Sequence, residues 1–300
     1  MRQSPKFLTA IGLISVLQIP LALGFRIIPD KTYQVFIERD GQKICGGTAI
    51  SKYEIVTAAS CLYFGSLNWI QVKSFNSDLH PFGKPHKVQD KCIPPNYVYN
   101  SKDHANDLVV LRLRDAINPT DPNSIFSPIS LVEKDFTLKD GDLIEVTGYG
   151  LDEDHRPSLV EAVVEKTPLK DCQDNYSDIN SPTVDQFCAH GRRTPDEYDG
   201  PFNGNFGACD GDAGVSATVG GNLVGLIANW RPNCTTNPGL PVIFTSIAHH
   251  RDFIEGCLKM FADRKEKYLY NPPPGVSLDE WLANGFKEDT WLDKLGRIFG

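Results

Sequence analysis

The 300 residues contain no CxxC pair and no HExxH run, so the spacings that build most zinc sites are missing and no metal or cofactor is expected. Positive charge is in deficit. With 30 Lys and Arg against 38 Asp and Glu, the formal charge of −8 speaks against a nucleic-acid partner, whose phosphates require a basic face. Between Tyr33 and Thr245 there is no long helical periodicity, and no internal repeat or low-complexity segment occurs. Nor is there an apolar stretch long enough to span a bilayer. The longest, Phe7 to Leu17, is followed by Gln18 and Pro20 and falls short of the ~20 residues a crossing helix needs.

That apolar run reads instead as part of an export signal. Arg2 and Lys6 precede it, and Ala22-Leu23-Gly24 supplies small residues at the cut-site positions. Residues 1–24 are therefore expected to be a signal peptide, the mature chain to begin near Phe25, and the protein to be secreted. Eight cysteines in an exported chain suggest disulfides. Two sequons fit the same route, with acceptors Asn175 and Asn233.

With 41% hydrophobic and 23% charged residues, the mature chain can bury a substantial core. Short β-rich runs recur, including Tyr33–Glu38, Ile55–Ala59, Leu108–Leu113, Leu143–Gly148 and Leu223–Ala228. Gly, Pro, Asn and Asp clusters separate them, the pattern of an antiparallel sandwich or barrel. Helices come late. One is expected over Ala248–Phe261 with a charged continuation over Lys259–Lys267. Another follows Pro272-Pro273-Pro274-Gly275, where Ser277 and Glu280 have capping-box spacing.

Three segments carry a family resemblance. Cys45-Gly46-Gly47-Thr48-Ala49-Ile50-Ser51 with Ile55-Val56-Thr57-Ala58-Ala59-Ser60-Cys61 resembles CGGSLIS…VLTAAHC of the chymotrypsin- and trypsin-like serine proteases. Asn106-Asp107-Leu108-Val109-Val110-Leu111 resembles their NDIALL block, and Cys209-Asp210-Gly211-Asp212-Ala213-Gly214 their CxGDSGG block. Val146 to Gly150 and Pro241 to Ile254 extend the likeness, which covers about residues 27–257. The resemblance implies an all-β fold of two six-stranded antiparallel barrels with a C-terminal helix. The expected layout is signal peptide 1–24, protease-like domain 25–257 and amphipathic helical extension 258–300.

In that family a histidine takes the serine proton, an aspartate orients the ring, and backbone amides hold the oxyanion. Matched residue by residue, the histidine position is Ser60, the aspartate Asp107 and the nucleophile Ala213. A methyl group cannot attack a carbonyl, and a serine hydroxyl has no basicity near neutral pH. The triad is thus degenerate, and the chain is expected to be no enzyme. Ser60 as a nucleophile of its own has no evident base. Asp107 and Asp212 are read as carboxylates that accept backbone N–H bonds and keep their loops folded.

Further departures point the same way. Active members pair a newly cut N-terminal amine with the aspartate before the nucleophile, here Asp212. Arg26-Ile27-Ile28-Pro29-Asp30 lacks the glycines of the family's cut site. At the specificity pocket, Gly207 stands at the basal aspartate position and Val242 replaces a glycine, placing a branched side chain where a substrate would enter. The strand expected to pair with substrate reads Ala228-Asn229-Trp230. The resemblance also implies bridges Cys45–Cys61, Cys172–Cys188 and Cys209–Cys234, and leaves Cys92 and Cys257 to each other.

In the tail, Trp281, Leu282, Phe286, Trp291, Leu292, Leu295, Ile298 and Phe299 recur at three- and four-residue steps. The stripe suits packing on the chain's own barrels, an anchor in a partner groove with Trp281, Leu282, Trp291 and Leu295 as contacts, or a membrane surface. Acidic neighbours such as Asp289 and Asp293 oppose the last. The function expected from these features is that of a secreted, non-catalytic protease homologue. It would bind an extracellular protein, an active protease or its substrate, as regulator, cofactor or decoy. The alternative is a serine-type endopeptidase with unconventional or residual activity.

Overall fold

A computed structural model describes residues 31–62, 67–74, 83–99, 101, 103–121, 127–151, 157–176, 182–191, 208, 211–229 and 241–270. The expected signal peptide, Gly207, Cys209, Trp230, Asn233, Cys234 and the tail residues Trp281, Leu282, Trp291 and Leu295 lie outside the described residues.

The first half forms β1 (Gln34–Arg39), β2 (Gln42–Ala49), β3 (Glu54–Thr57), β4 (Ile70–Lys73), β5 (Pro85–Cys92) and β6 (Val109–Leu113). These close into a six-stranded antiparallel barrel in the order β1-β2-β3-β6-β5-β4, with β4 returning to β1. The second half adds β7 (Ser130–Leu131), β8 (Leu143–Leu151), β9 (Pro157–Thr167), α1 (Leu169–Tyr176), β10 (Gln186–Gly191), β11 (Ser216–Val219), β12 (Asn222–Asn229) and β13 (Val242–Ser246). Six of these strands form the ring β11-β8-β9-β10-β13-β12, closed by the β11–β12 pairing, and short β7 lies parallel beside β12. The expected double barrel is the observed architecture.

The strands where the barrels meet are buried on both faces, so their sequences run apolar without a break. Ile55 of β3 and Val109, Leu111 and Leu113 of β6 fill the first barrel. Their neighbours Val56 and Val110 point the other way and join the cluster that includes Ile144, Val146, Val224, Leu226 and Phe244 of the second. Period-2 alternation thus sends one strand's residues into two cores. Each such burial contributes about 1.5–3 kcal/mol. The exception on β6 is Arg112, whose guanidinium reaches Glu54 on the paired strand β3.

The last described element is α2 (Arg251–Tyr270). It starts three residues later than Ala248 because Ile247–His250 close a turn, with His250 N–H donating to Ile247 O at 3.1 Å. Ile254, Cys257 and Phe261 recur at helical spacing and are buried. Cys257 is bridged to Cys92 at the end of β5, and Arg251 Nη1 donates to the carbonyls of Leu131 and Val132 at 3.0 and 2.6 Å. The helix passes residue 258 without interruption, running through the position where the sequence reading ended the protease-like domain. Cys45–Cys61 and Cys172–Cys188 are also bridged.

Candidate active site

The three positions singled out in sequence come from three separate stretches that the double barrel gathers at its seam. Ser60 lies in a 3-10 turn, Ala59–Leu62, directly after β3. The bridge from Cys61 to Cys45 on β2 pins that turn, and Arg39 Nη2 donates to Cys61 O at 3.1 Å. Asp107 sits just before β6 and is fully buried.

Ser60 and Asp107 are joined by two hydrogen bonds. The Ser60 amide donates to Asp107 Oδ1 at 2.7 Å, and its hydroxyl donates to Oδ2 at 2.8 Å. The carboxyl is nevertheless pushed up to about 6. Removal from water favours the neutral acid, and the bonds from Ser60 and the Ala59 amide recover only part of that penalty. Tyr97, itself half buried, is held above the ordinary phenol range by desolvation and by the neighbouring Asp107 charge.

The loop leading to Asp107 is held by the second barrel. Asn106 N–H donates to Asp185 Oδ2 at 2.7 Å, and Gln186 Nε2 donates to the carbonyls of Asp103 and His104 at 3.1 and 3.0 Å. Thr245 Oγ1 donates to the Asp107 carbonyl at 3.1 Å. Asn106 and His104 both adopt positive φ, 57° and 49°, a conformation these polar side chains tolerate better than most. Behind them lies His250. Its Nδ1–H donates to Ser246 O at 2.8 Å, its Nε2 lies 3.3 Å from the Asn106 side-chain amide, and Asp185 Oδ2 is 4.0 Å away. Burial lowers the His250 pKa, so the ring is neutral near pH 7. His104 is likewise lowered by burial.

Ala213 occupies the turn between Gly211 and Gly214. It is buried and belongs to the same cluster as Ala58, Ala59 and Cys61, so the structure brings it beside the turn that carries Ser60. Its carbonyl accepts from Gly46 N at 2.8 Å, and Gly214 N donates to Ile227 O at 2.8 Å. The fit is too close for side chains at two points. A Cβ on Gly214, whose φ is +79°, would lie 2.2 Å from Thr57 Oγ1 and 2.5 Å from Gly46 O. One on Gly46 would lie 2.6 Å from Val215 Cγ2.

Asp212, next to Ala213, lies 3.8 Å from Lys43 Nζ on β2. Sequence reasoning did not reach Lys43. The available signal was a lysine two residues before Cys45 on a strand whose next residues, Cys45 to Ala49, are all buried. It also missed His250 and Asp185, whose roles depend on tertiary contacts with the Asp107 loop. Val242 is buried in β13 opposite Ala189. Asn175 lies on α1, with its Nδ2 donating to Asp171 O at 2.7 Å. Among the described residues no cluster of His, Cys, Asp and Glu is placed to hold a metal ion, and no helix is long and apolar enough to cross a membrane.

Chemically, the arrangement offers a partly buried serine whose hydroxyl proton points at a carboxylate near pKa 6. That is within the range suited to a general base near neutral pH. The sequence reading gave Ser60 no base. The structure corrects this, because Asp107 is in direct contact with its hydroxyl. The position matched in sequence to the family's nucleophile is Ala213, a methyl group, and the one matched to its histidine is Ser60.

The family model described as Trypsin matches residues 27–254. The vitellin-degrading protease of Bombyx mori is 28% identical over 232 residues, covering 76% of this chain and 81% of its own length. A trypsin from Phaedon cochleariae is 27% identical over 235 residues, covering 76% of this chain and 83% of its own. Among solved structures, mouse neuropsin superposes with a TM-score of 0.62 at 21% identity, covering 78% of this chain and 98% of that one, a likeness of fold. These comparisons correct the expectation that the chain is no enzyme. Relatives matching about three quarters of it are named as proteases. Replacing His and Ser at Ser60 and Ala213 closes one chemical route, and does not establish that the chain is inactive.

Proposed function

The chain belongs to the trypsin family, and from that we infer that it works in an extracellular proteolytic pathway by binding another protein, an active protease or its substrate, as regulator, cofactor or decoy. The observation that supports this reading is the residue set at the seam: both barrels are closed, with a Ser60–Asp107 pair and Ala213 at the positions matched in sequence to the family's triad. A double barrel offers broad loop surfaces for protein recognition, and the amphipathic tail residues Trp281, Leu282, Trp291 and Leu295 are candidate contacts. The basic and apolar leader over residues 1–24 supports secretion, and the sequons at Asn175 and Asn233 are candidate glycan sites.

A second reading, serine-type endopeptidase activity by an unconventional route, is favoured by a separate observation. The Ser60 hydroxyl already donates to a carboxylate whose pKa is near 6, and the named relatives are proteases. Here Asp107 would take the Ser60 proton as the hydroxyl oxygen attacks the peptide carbonyl, and would return it to the leaving amine.

One experiment addresses both. The purified full-length chain is incubated with a peptide library, and separately with a trypsin-type protease and its substrate. The binding reading expects a saturable change in the added protease's rate or substrate affinity, weakened by deleting residues 271–300. The hydrolytic reading expects slow cleavage abolished by both Ser60→Ala and Asp107→Asn. A chain that neither cleaves nor alters the added protease or its substrate would overturn both.

A further inference from the structure

Along β8 and β9, Leu143 pairs with Glu165, Glu145 with Val163 and Thr147 with Glu161. Residues directly opposite share a face, and every second position along a strand returns to it. These side chains therefore lie on the outer side of the strand pair, while Ile144, Val146 and Val164 fill the core on the inner side. Leu143 and Val163 are diagonal neighbours on that outer side, 44% and 45% exposed. Around them stand three carboxylates, Glu145, Glu161 and Glu165. One end of the face is filled from within the chain. Lys31, whose side chain is 9% exposed, pairs with Glu145 and, at 3.2 Å, with Glu161. The other end is open. The Glu145 side chain is 46% exposed, leaving surface beside Val163. Glu165, across from Leu143, has no ion pair among the described residues, and Lys166 next to it is engaged by Asp140.

A face on which apolar side chains alternate with carboxylates repels anionic lipid and nucleic acid. Its complement is a polypeptide that alternates branched apolar residues with Lys or Arg. Lys31 already shows that these two strands accept an ammonium between their glutamates. We propose that the outer face of β8 and β9 is a docking surface for an extended segment of the partner protein that is both basic and apolar. Leu143 and Val163 receive its apolar side chains, and Glu165, with the open side of Glu145, receives its cation. The spacing is that of a strand. Glu165 and Val163 are two residues apart on β9, about 6.6 Å, so a lysine and a branched apolar residue two apart in an extended segment match them. The inference rests on the reading that this chain works by binding another protein, and gives the chemistry of that protein's contact.

The test titrates the isotope-labelled full-length chain with a synthetic peptide of alternating lysine and valine while backbone amide resonances are followed. A peptide of alternating glutamine and valine is the control. The lysine peptide should give saturable shifts centred on Leu143–Glu145 and Val163–Glu165, and the control none. Glu165→Lys should weaken binding about fivefold or more, and Leu143→Ser should weaken it while leaving its salt dependence in place. Equal binding of the two peptides, shifts centred elsewhere, or parent-like affinity in Glu165→Lys would overturn the proposal. Binding that appears only in a full-length Arg26→Glu, Ile28→Asp variant would make the chain's own residues the occupant and overturn it as well. The binding reading is scored apart from this, by the effect on an added trypsin-type protease and its substrate. If the parent alters either one and Glu165→Lys does so equally, binding stands and this face is not its site. A parent without effect on both would overturn the binding reading, while the titration still decides this face.

Discussion

Ser60 donates to both oxygens of Asp107, through its amide at 2.7 Å and its hydroxyl at 2.8 Å, so a single residue engages the whole carboxylate. Two donors on one carboxylate would ordinarily lower its pKa. Complete burial outweighs them, and the group rises from 3.8 to about 6.

The sign of the resulting pH dependence follows from proton counting. An acid that is weaker in the folded chain binds its proton more tightly there than in the unfolded chain. Stability is therefore lost as pH rises from about 4 to about 6, amounting to about 3 kcal/mol from this group. Asp107→Asn keeps an acceptor for the Ser60 amide and lets the hydroxyl turn to accept. Urea unfolding at pH 4, 5, 6 and 7 should show the parent losing about 3 kcal/mol relative to the variant across that window. A constant difference at all four values would mean that Asp107 titrates normally.

Gly214 supports a prediction from shape alone. Its φ of +79° disfavours any side chain, and an added Cβ would press on backbone at Gly46 O and on Thr57 Oγ1. Backbone cannot swing aside as a flexible side chain can. Gly214→Ala should cost about 3 kcal/mol or more, combining left-handed strain with the clash. Thermal unfolding against the parent checks this, and a loss below about 1 kcal/mol would show that the turn relaxes easily.

Much of the fold was legible because barrel strands announce themselves through short β-branched runs between turn residues. Val109-Val110-Leu111 and Ile55-Val56 are continuous apolar runs because both of their faces are buried, one in each barrel. Ser60, Asp107 and Ala213 could be singled out in sequence because each lies within a local motif, and the structure brings the three stretches together. What sequence could not give was the contact between motifs. The Lys43–Asp212 approach joins residues 169 apart, by 212 − 43, and the hydrogen bond making Asp107 a partner for the Ser60 hydroxyl spans 47. Local patterning carries no signal for such pairs. The start of α2 was misplaced for a local reason, since Ala248, His249 and His250 suit a helix by composition yet are spent in a turn that aims the His250 ring at Asn106.

The bridges should differ in worth according to the loops they close. Cys92–Cys257 spans 165 residues and Cys45–Cys61 spans 16. Chain entropy alone assigns about 5 kcal/mol to the first and about 3 kcal/mol to the second, with measured values commonly lower. Replacing Cys92 and Cys257 together by Ala should therefore destabilise more than replacing Cys45 and Cys61 together. Denaturant unfolding of the two double variants ranks them. The reverse order would locate the importance of Cys45–Cys61 in local packing at the Ser60 turn, beyond loop closure.

His250 should act on stability in the opposite sense to Asp107. Burial depresses its pKa. The Ser246 carbonyl and Asp185 favour the charged ring, and His249 opposes it, without restoring the ordinary value. The unfolded chain then takes up the proton first as pH falls through about 6.5, and the native state loses stability on acidification. His86 and His104, both lowered by burial, push in the same direction. Across roughly pH 4 to 6.5 the histidines and Asp107 therefore partly cancel, and a flat parent profile would conceal both. Single variants separate them. His250→Gln can still donate to the Ser246 carbonyl but cannot become charged, so its stability relative to the parent should improve steadily from pH 7 to pH 5, as Asp107→Asn loses ground over the same range. Urea midpoints measured side by side would show the two variants diverging. Parallel profiles would mean that His250 and Asp107 do not titrate independently.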